Sequence, residues 1–183
     1  MTGFSLSLTH DRSAARWASV GMLGALIAAS QIAVPIPGTP VPLTLTPLLV
    51  VLSGMMLGPT VGAATMVAYL ALGAIGVPVF APMGAPGVMR LVGPTGGYLL
   101  AYPAAAYVAG VLTQRLPTLS GRWIAACAGV AVLFAGGLAQ LTILTGSVTR
   151  AVALGITPFA LLDVVKAFVA ALLTKPQTPT SLD

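Results

Sequence analysis

Charged residues are scarce in this chain of 183 residues, and acidic side chains are the scarcest. Asp, Glu, Lys and Arg make up only 6% of the residues, with three acidic against eight basic side chains. A soluble domain carries about 25% charged residues, so this composition excludes an ordinary water-exposed surface. Because 57% of the residues are hydrophobic and the mean hydropathy is +1.02, we expect lipid to surround most of the chain.

Cysteine and histidine each occur once, which removes several kinds of chemistry. A lone Cys127 excludes an internal disulfide and a lone His10 leaves no cluster with metal-ligand spacing, so we expect no metal and no other cofactor. The sequence also lacks a Walker phosphate loop, so we do not expect the chain to hydrolyse ATP or to be an enzyme. The basic residues are scattered rather than clustered, which argues against binding of nucleic acid.

Six apolar stretches approach the length of about 20 residues that a helix needs to cross a bilayer. We predict a single all-α integral membrane domain, residues 1–183, with a polar leader over 1–12 and a polar tail over 176–183. The predicted spans are 14–34, 43–57, 60–80, 94–116, 123–145 and 157–175. The basic start of the first stretch also resembles a secretory signal, but about 20 apolar residues favour a span.

Six spans place both termini on one side of the membrane, and the basic residues indicate which side. Five of them lie on the side of the termini, namely Arg12, Arg16, Arg115, Arg122 and Lys175, against two on the other side, Arg90 and Arg150. Because cytoplasmic loops carry the excess of Lys and Arg, both termini are predicted to be cytoplasmic. The predicted location is the bacterial inner membrane, crossed several times.

The last predicted span contains two opposite charges, Asp163 and Lys166. On insertion scales each such charge costs about 2.5–3.5 kcal/mol near the bilayer centre, so an ionisable pair there indicates a functional site. A spacing of three residues places both groups on one helix face, where they partly neutralise each other. A buried ion pair that only positions this helix is the structural alternative. We predict Thr157 as the N-cap of this helix and Pro158 as its first residue.

Further polar residues are predicted in the same outer half of the membrane, namely Gln31, Thr44, Thr46, Tyr98 and Gln140. Two irregular segments lie at that face as well. One is a loop over 35–42 that contains Pro35, Pro37, Pro40 and Pro42, and the other is a Gly- and Pro-rich loop over 81–93 that carries Arg90. Together these features predict a cupped site for a small polar molecule arriving from outside, with the proline loop as its lid or as a shaped connector.

The first span carries small residues at intervals of four, at Ala14 and Ala18 and again at Gly21, Ala25 and Ala29. Small residues let another helix approach closely in a membrane, where lipid provides no hydrophobic drive for association. We assign Ala25 and Ala29 to a partner-helix contact. Packing of the same stripe inside this bundle is the alternative.

Five short blocks follow one another along about residues 14–174. They are Val41-Pro42-Leu43-Thr44-Leu45 after the proline loop, Leu57-Gly58-Pro59, Gly76-Val77-Pro78-Val79-Phe80, Gly93-Pro94-Thr95-Gly96-Gly97-Tyr98, and Pro158-Phe159 followed by Asp163 and Lys166. In combination they resemble the BioY family, the biotin-capture S components of energy-coupling factor (ECF) transporters. Pro82 and Pro86 depart from the glycine-dominated run expected in the loop over 81–93.

The resemblance implies a six-helix S-component fold and biotin as the ligand. It also implies a transmembrane coupling subunit and two cytoplasmic ATPase subunits as partners, with ATP used only by the partners. The stripe on the first helix is then expected to face the coupling subunit. Asp163, Lys166 and Arg90 match ligand-binding residues of the family. With the polar residues of the cup, the predicted substrate-binding set is Asp163, Lys166, Arg90, Tyr98, Gln140 and Thr44.

Biotin suits such a site chemically. Its ureido N–H groups can donate to a carboxylate, and Lys or Arg can meet its carboxylate or its ureido carbonyl. Which base meets which oxygen stays open. A self-sufficient secondary transporter or facilitator for biotin or another small carboxylated vitamin is the alternative function. An intramembrane enzyme is a weaker alternative, because the predicted site lacks a second carboxylate or a His.

Overall fold

The computed structural model describes residues 5–174, with side chains from residue 13 onward except that of residue 15. Lys175, the predicted tail over 176–183 and residues 1–4 lie outside the described residues. Eight helices make up the described part: α1 Ser5–Gln31, α2 Thr46–Leu57, α3 Pro59–Ala74, α4 Met89–Val92, α5 Gly96–Arg115, α6 Leu119–Thr145, α7 Val148–Gly155 and α8 Ala160–Leu173. A single antiparallel bridge joins Val34 and Leu43 in these residues. The prediction of an all-α fold is confirmed for this part of the chain.

Three helices begin earlier than predicted, one of them, α3 at Pro59, by a single residue. α1 begins at Ser5, inside the predicted polar leader. α6 begins at Leu119 rather than at residue 123, because the hydroxyl of Thr118 caps it by accepting from the N–H of Gly121 at 3.1 Å.

The start predicted for the last helix is wrong. α8 begins at Ala160 with Phe159 in the N-cap position, and the hydroxyl of Thr157 donates to the carbonyl of Val152 at 3.2 Å instead of capping α8. The N–H groups of Ile156 and Thr157 also donate to Val152, so they close the end of the unpredicted α7 before α8 can begin. α7 and α8 meet at a bend of 54°.

The centre of the bundle is the pair α5 and α6. α5 contacts α2, α3, α4 and α6, while α6 also contacts α7 and α8. Their close approach requires glycine, because a side chain at Gly97 would collide with the carbonyl of Gly136. α2 approaches α5 in the same way, since a side chain at Gly54 would collide with the backbone of Ala106.

Helix length and composition bear on how the chain crosses a bilayer. Within the described residues, α6 is the helix that is both long and apolar enough to span by itself, and α7 with α8 makes a second span if the bent pair counts as one. α2 and α3 are apolar but contain 12 and 16 residues, about 18 and 24 Å of helix against a hydrocarbon core of about 30 Å. The six spans and the side of the termini therefore stay predictions.

The stripe of small residues on α1 divides into an exposed part and a buried part. Its exposed members are Ala14, Ala18, Gly21 and Ala25. Ala29 is 8% exposed, because the C-terminal end of α1 packs into its own bundle, where Leu26 and Ser30 are also buried. The assignment of Ala29 to a partner contact is therefore wrong, whereas Ala25 is available for one.

Arg122 is part of α6 rather than of an exposed loop. Its guanidinium is buried, with Nε donating to the carbonyl of Ala171 at 3.2 Å and Nη1 to that of Pro117 at 3.0 Å. The last four carbonyl groups of a helix have no partner within it. Arg122 therefore supplies a donor to the end of α8.

Candidate ligand-binding site

A cavity lies between the segment 41–47, α5, α6 and α8, with further walls from α3, the loop after α3 and α4. The cavity has a volume of about 80 Å³. Since one water needs about 10–15 Å³, the cavity has room for several waters or for a small organic molecule.

Five of the six residues predicted to bind substrate line this cavity, namely Asp163, Lys166, Arg90, Tyr98 and Thr44. They come from three helices, α4, α5 and α8, and from the segment before α2, so the fold brings together residues up to about 120 positions apart in the sequence. Their contact with a ligand stays a prediction.

The two charges on α8 form an ion pair. Lys166 Nζ lies 2.8 Å from Asp163 Oδ1, and the two side chains are 13% and 7% exposed. Lys166 Nζ also donates to the carbonyl of Thr44 at 2.7 Å. These bonds use two of the three ammonium donors and one carboxylate oxygen, which leaves one donor and one oxygen for a ligand. The pair thus combines a donor and an acceptor at one point of the cavity wall.

Arg90 of α4 brings a second positive charge to the cavity. Its guanidinium is buried, and Nη2 donates to the carbonyl of Ala81. Among the described side chains the carboxylate available is that of Asp163, which pairs with Lys166, so no described ion pair balances Arg90. Burial lowers the pKa of Arg90 from its ordinary value, but arginine keeps its proton at physiological pH. A buried, unbalanced guanidinium is suited to an anionic group of a ligand.

Five aromatic residues of the cavity wall were not predicted as site residues, and three of them, Tyr69, Phe80 and Tyr102, form one cluster. Tyr69 lies between Phe80 and Tyr102, with ring centroids 5.5 Å from Phe80 in an edge-to-face arrangement and 6.1 Å from Tyr102 in a stacked one. All three side chains are buried. Tyr102 follows Tyr98 by four residues on α5, so the shared helix face was a signal for it in the sequence. Such rings can cover the apolar ring system of a ligand.

Tyr98 connects the cavity with α7. Its hydroxyl donates to the carbonyl of Gly155 at 2.7 Å. A side chain at Gly137 would collide with the tyrosine ring, and one at Gly155 with its hydroxyl. Two glycines therefore make the space that this tyrosine occupies.

Gln140 does not line the cavity. Its amide donates to the carbonyls of Leu91 at 3.1 Å and Gly93 at 2.8 Å. These bonds hold the end of α4, which carries Arg90. Gln140 was predicted to line the site, but its side chain points toward α4 and contacts the backbone there instead.

The proline loop reaches the cavity with its second half. Pro42 lines it together with Val41, Leu43 and Thr44, whereas Pro35, Pro37 and Pro40 are exposed and do not line it. The bridge between Val34 and Leu43 closes the base of the loop through two hydrogen bonds of 2.9 Å. The hydroxyl of Thr39 ties its tip to the carbonyl of Leu154 in α7 at 2.6 Å. The loop is therefore fixed at its base and at its tip. Its role as a lid stays a prediction.

Comparison with known proteins identifies the family of this chain. The model of the BioY family matches residues 6–181. The chain belongs to the BioY family. The resemblance seen in the sequence motifs is therefore confirmed, and membership of this family of transporters places the chain in a membrane.

Two named relatives of this BioY-family chain match most of its length. The "Probable biotin transporter BioY" of Pyrococcus horikoshii is 37% identical over 136 residues, which cover 74% of this chain and 80% of the relative. The "Biotin transporter BioY" of Thermotoga maritima is 37% identical over 138 residues, which cover 75% and 81%. A crystal structure of the S-component for biotin from an ECF-type ABC transporter matches with a TM-score of 0.83 and 24% identity, over 90% of each chain. This likeness shows that the chain has the S-component fold.

Proposed function

We propose that this chain captures biotin at the outer face of the bacterial inner membrane and serves as the substrate-binding subunit of an ECF-type transporter. The observation that carries the proposal is the buried Asp163–Lys166 pair, which shares one cavity with the buried Arg90. Membership of the BioY family and relatives named biotin transporters support biotin as the ligand.

The distribution of charge in the cavity suits a ligand with two different polar ends. Asp163 offers an acceptor to ureido N–H groups, while Lys166 and Arg90 offer donors to a carboxylate or a ureido carbonyl. The aromatic residues Tyr69 and Tyr102 form a wall between α3 and α5 against which an apolar ring can lie. The assignment of each base to one oxygen stays open.

The wider organisation follows from the same proposal. The chain crosses the membrane six times with both termini in the cytoplasm, and it binds no cofactor of its own. A transmembrane coupling subunit and two ATPase subunits are its partners, and ATP is used only by them. The exposed face of α1 around Ala25 is the proposed contact with the coupling subunit, since small residues let helices pack closely in lipid.

Mass spectrometry of the small molecules that co-purify with the detergent-solubilised protein tests the ligand. We expect biotin, and we expect calorimetric titration of ligand-free protein to give one site per chain. Recovery of a different small molecule, or absence of biotin binding by folded protein, would overturn the proposal.

A self-sufficient transporter is the second candidate, because the relatives are named biotin transporters without mention of other subunits. Uptake of labelled biotin by cells that produce this chain without coupling and ATPase subunits separates the two functions. Concentrative uptake that an uncoupler abolishes would favour the second candidate. Binding without concentrative uptake favours the first.

A further inference from the structure

The outer end of α1 holds three consecutive backbone carbonyls of the segment after α3. The hydroxyl of Ser30 donates to Val79 at 2.5 Å. The amide of Gln31 donates to the carbonyls of Pro78 at 3.2 Å and Phe80 at 3.1 Å. We refer to Pro78, Val79, Phe80 and Ala81 as the 78–81 strap.

The strap depends on these side chains because it is neither helix nor strand. Its buried carbonyls therefore need partners from other parts of the chain. Val79 is 2% exposed, and its carbonyl receives a second hydrogen bond from the hydroxyl of Tyr69 at 2.8 Å. Leaving such a carbonyl unpaired costs more than the bond itself contributes. Ser30, Gln31 and Tyr69 thus decide where the strap lies.

The strap in turn decides where the guanidinium of Arg90 lies. Phe80 and Ala81 both line the cavity, and the carbonyl of Ala81 accepts a hydrogen bond from Nη2 of Arg90. The backbone just beyond passes so close that a side chain at Gly84 would collide with Nη1. The guanidinium of Arg90 therefore packs against the backbone of residues 81–84. A shift of the 78–81 strap would move the positive charge of Arg90 with it.

We propose that Gln31 is a positioning residue of the ligand site, which acts on Arg90 through the 78–81 strap. Gln31 is exposed and does not line the cavity, so it influences a ligand through the strap rather than by contact. This inference rests on the proposed capture of biotin. It also gives α1 a specific role, because the helix with the exposed Ala25 face is the one that holds the strap.

A double-mutant cycle with Arg90 tests the inference. Gln31→Leu keeps the size of the side chain and removes both donors, and we expect it to weaken biotin binding about three- to tenfold in the wild-type background, the range that loss of one or two net hydrogen bonds gives. In an Arg90→Met background the same change should alter affinity less than twofold. Gln114→Leu, at the end of α5 opposite the cavity, is the matched control and should leave binding unchanged.

Hydrogen exchange of the ligand-free protein supplies a second readout that does not depend on biotin. Gln31→Leu should speed exchange of the amides of residues 79–91 about three- to tenfold, while Gln114→Leu should not. This measurement decides the inference if the Arg90 variant binds too weakly to titrate. Failure of wild-type protein to bind biotin sinks the proposed function alone, because the exchange experiment still tests the strap.

Two results would overturn the inference. One is unchanged exchange of residues 79–91 in Gln31→Leu. The other is an equal loss of affinity with and without the guanidinium of Arg90, which would assign Gln31 to general stability. If Gln31→Leu does not fold, Tyr69→Phe removes one donor to Val79 and enters the same cycle with the same expected outcome. Because Tyr69→Phe keeps the ring that faces the cavity, this variant tests only the hydroxyl; a loss of affinity that persists in the Arg90→Met background would assign the hydroxyl to direct ligand contact and would also count against the inference.

Discussion

Substitution of Asp163 or Lys166 is the most direct test of the ligand site. Asp163→Asn and Lys166→Met each keep the approximate size of the side chain and remove one charge. The two groups are 2.8 Å apart and almost completely buried, so each change leaves a buried partner without its counter-charge. Lys166→Met also removes the bond to the carbonyl of Thr44 and so releases the segment that follows the proline loop.

The expected loss follows from these contacts. Truncation of one member of a buried, hydrogen-bonded charge pair costs about 2–5 kcal/mol in binding. At about 1.4 kcal/mol for each factor of ten, biotin should bind about 30-fold to about 4,000-fold more weakly. Because Lys166 also anchors Thr44, we expect Lys166→Met to raise the dissociation rate more than Asp163→Asn does.

Calorimetric titration in detergent measures the affinities, and thermal unfolding checks that each variant is folded. The double variant Asp163→Asn with Lys166→Met separates ligand binding from structure, because removal of both charges leaves neither one buried alone. We expect it to regain stability but not biotin binding. Wild-type affinity in both single variants, or recovered affinity in the double variant, would refute the reasoning and leave the pair as a purely structural contact.

Two further predictions concern the proline loop and α1. Replacing Pro37 and Pro40 by Gly should raise the dissociation rate of biotin more than it lowers the association rate, since a more flexible lid loses more entropy on closing; unchanged dissociation kinetics in stopped-flow measurements would make the loop a passive connector. Ala25→Trp should abolish co-purification with the coupling subunit and leave biotin binding intact, whereas Ala29→Trp should lower the unfolding temperature because Ala29 is buried in this chain. Loss of binding in Ala25→Trp would assign the exposed stripe to the core of the bundle instead.

The sequence was most informative where local chemistry decides the structure. Asp163 and Lys166 were predicted to share a helix face because their spacing of three residues guarantees it in any α-helix. That prediction survives the error in the helix start, since α8 still includes both residues.

Predictions that depend on which way a side chain faces between helices were less accurate. Gln140 is polar, as a substrate-binding residue should be, but helix packing turns its side chain toward the backbone of α4. Ala29 is small, as a helix contact requires, but the bundle of this chain buries it. Tyr69 lies in a long apolar run, where a residue that lines a cavity cannot be told from one that faces lipid. The direction of a helix face in a bundle is set by contacts distant in sequence, and no local pattern records those.

The hydrogen bond between Arg122 and the end of α8 bears on the order in which the chain is completed. The guanidinium at the start of α6 is synthesised 49 residues before the carbonyl of Ala171 that it binds. In a chain cut before α8, Arg122 keeps its bond to the carbonyl of Pro117 but lacks the second of its two described acceptors. The complete bundle buries this guanidinium. α8, which is synthesised after α6, therefore satisfies a charge that entered the chain much earlier. A chain that stops before these turns leaves the guanidinium of Arg122 without its α8 acceptor, whereas a chain that includes them satisfies and buries it.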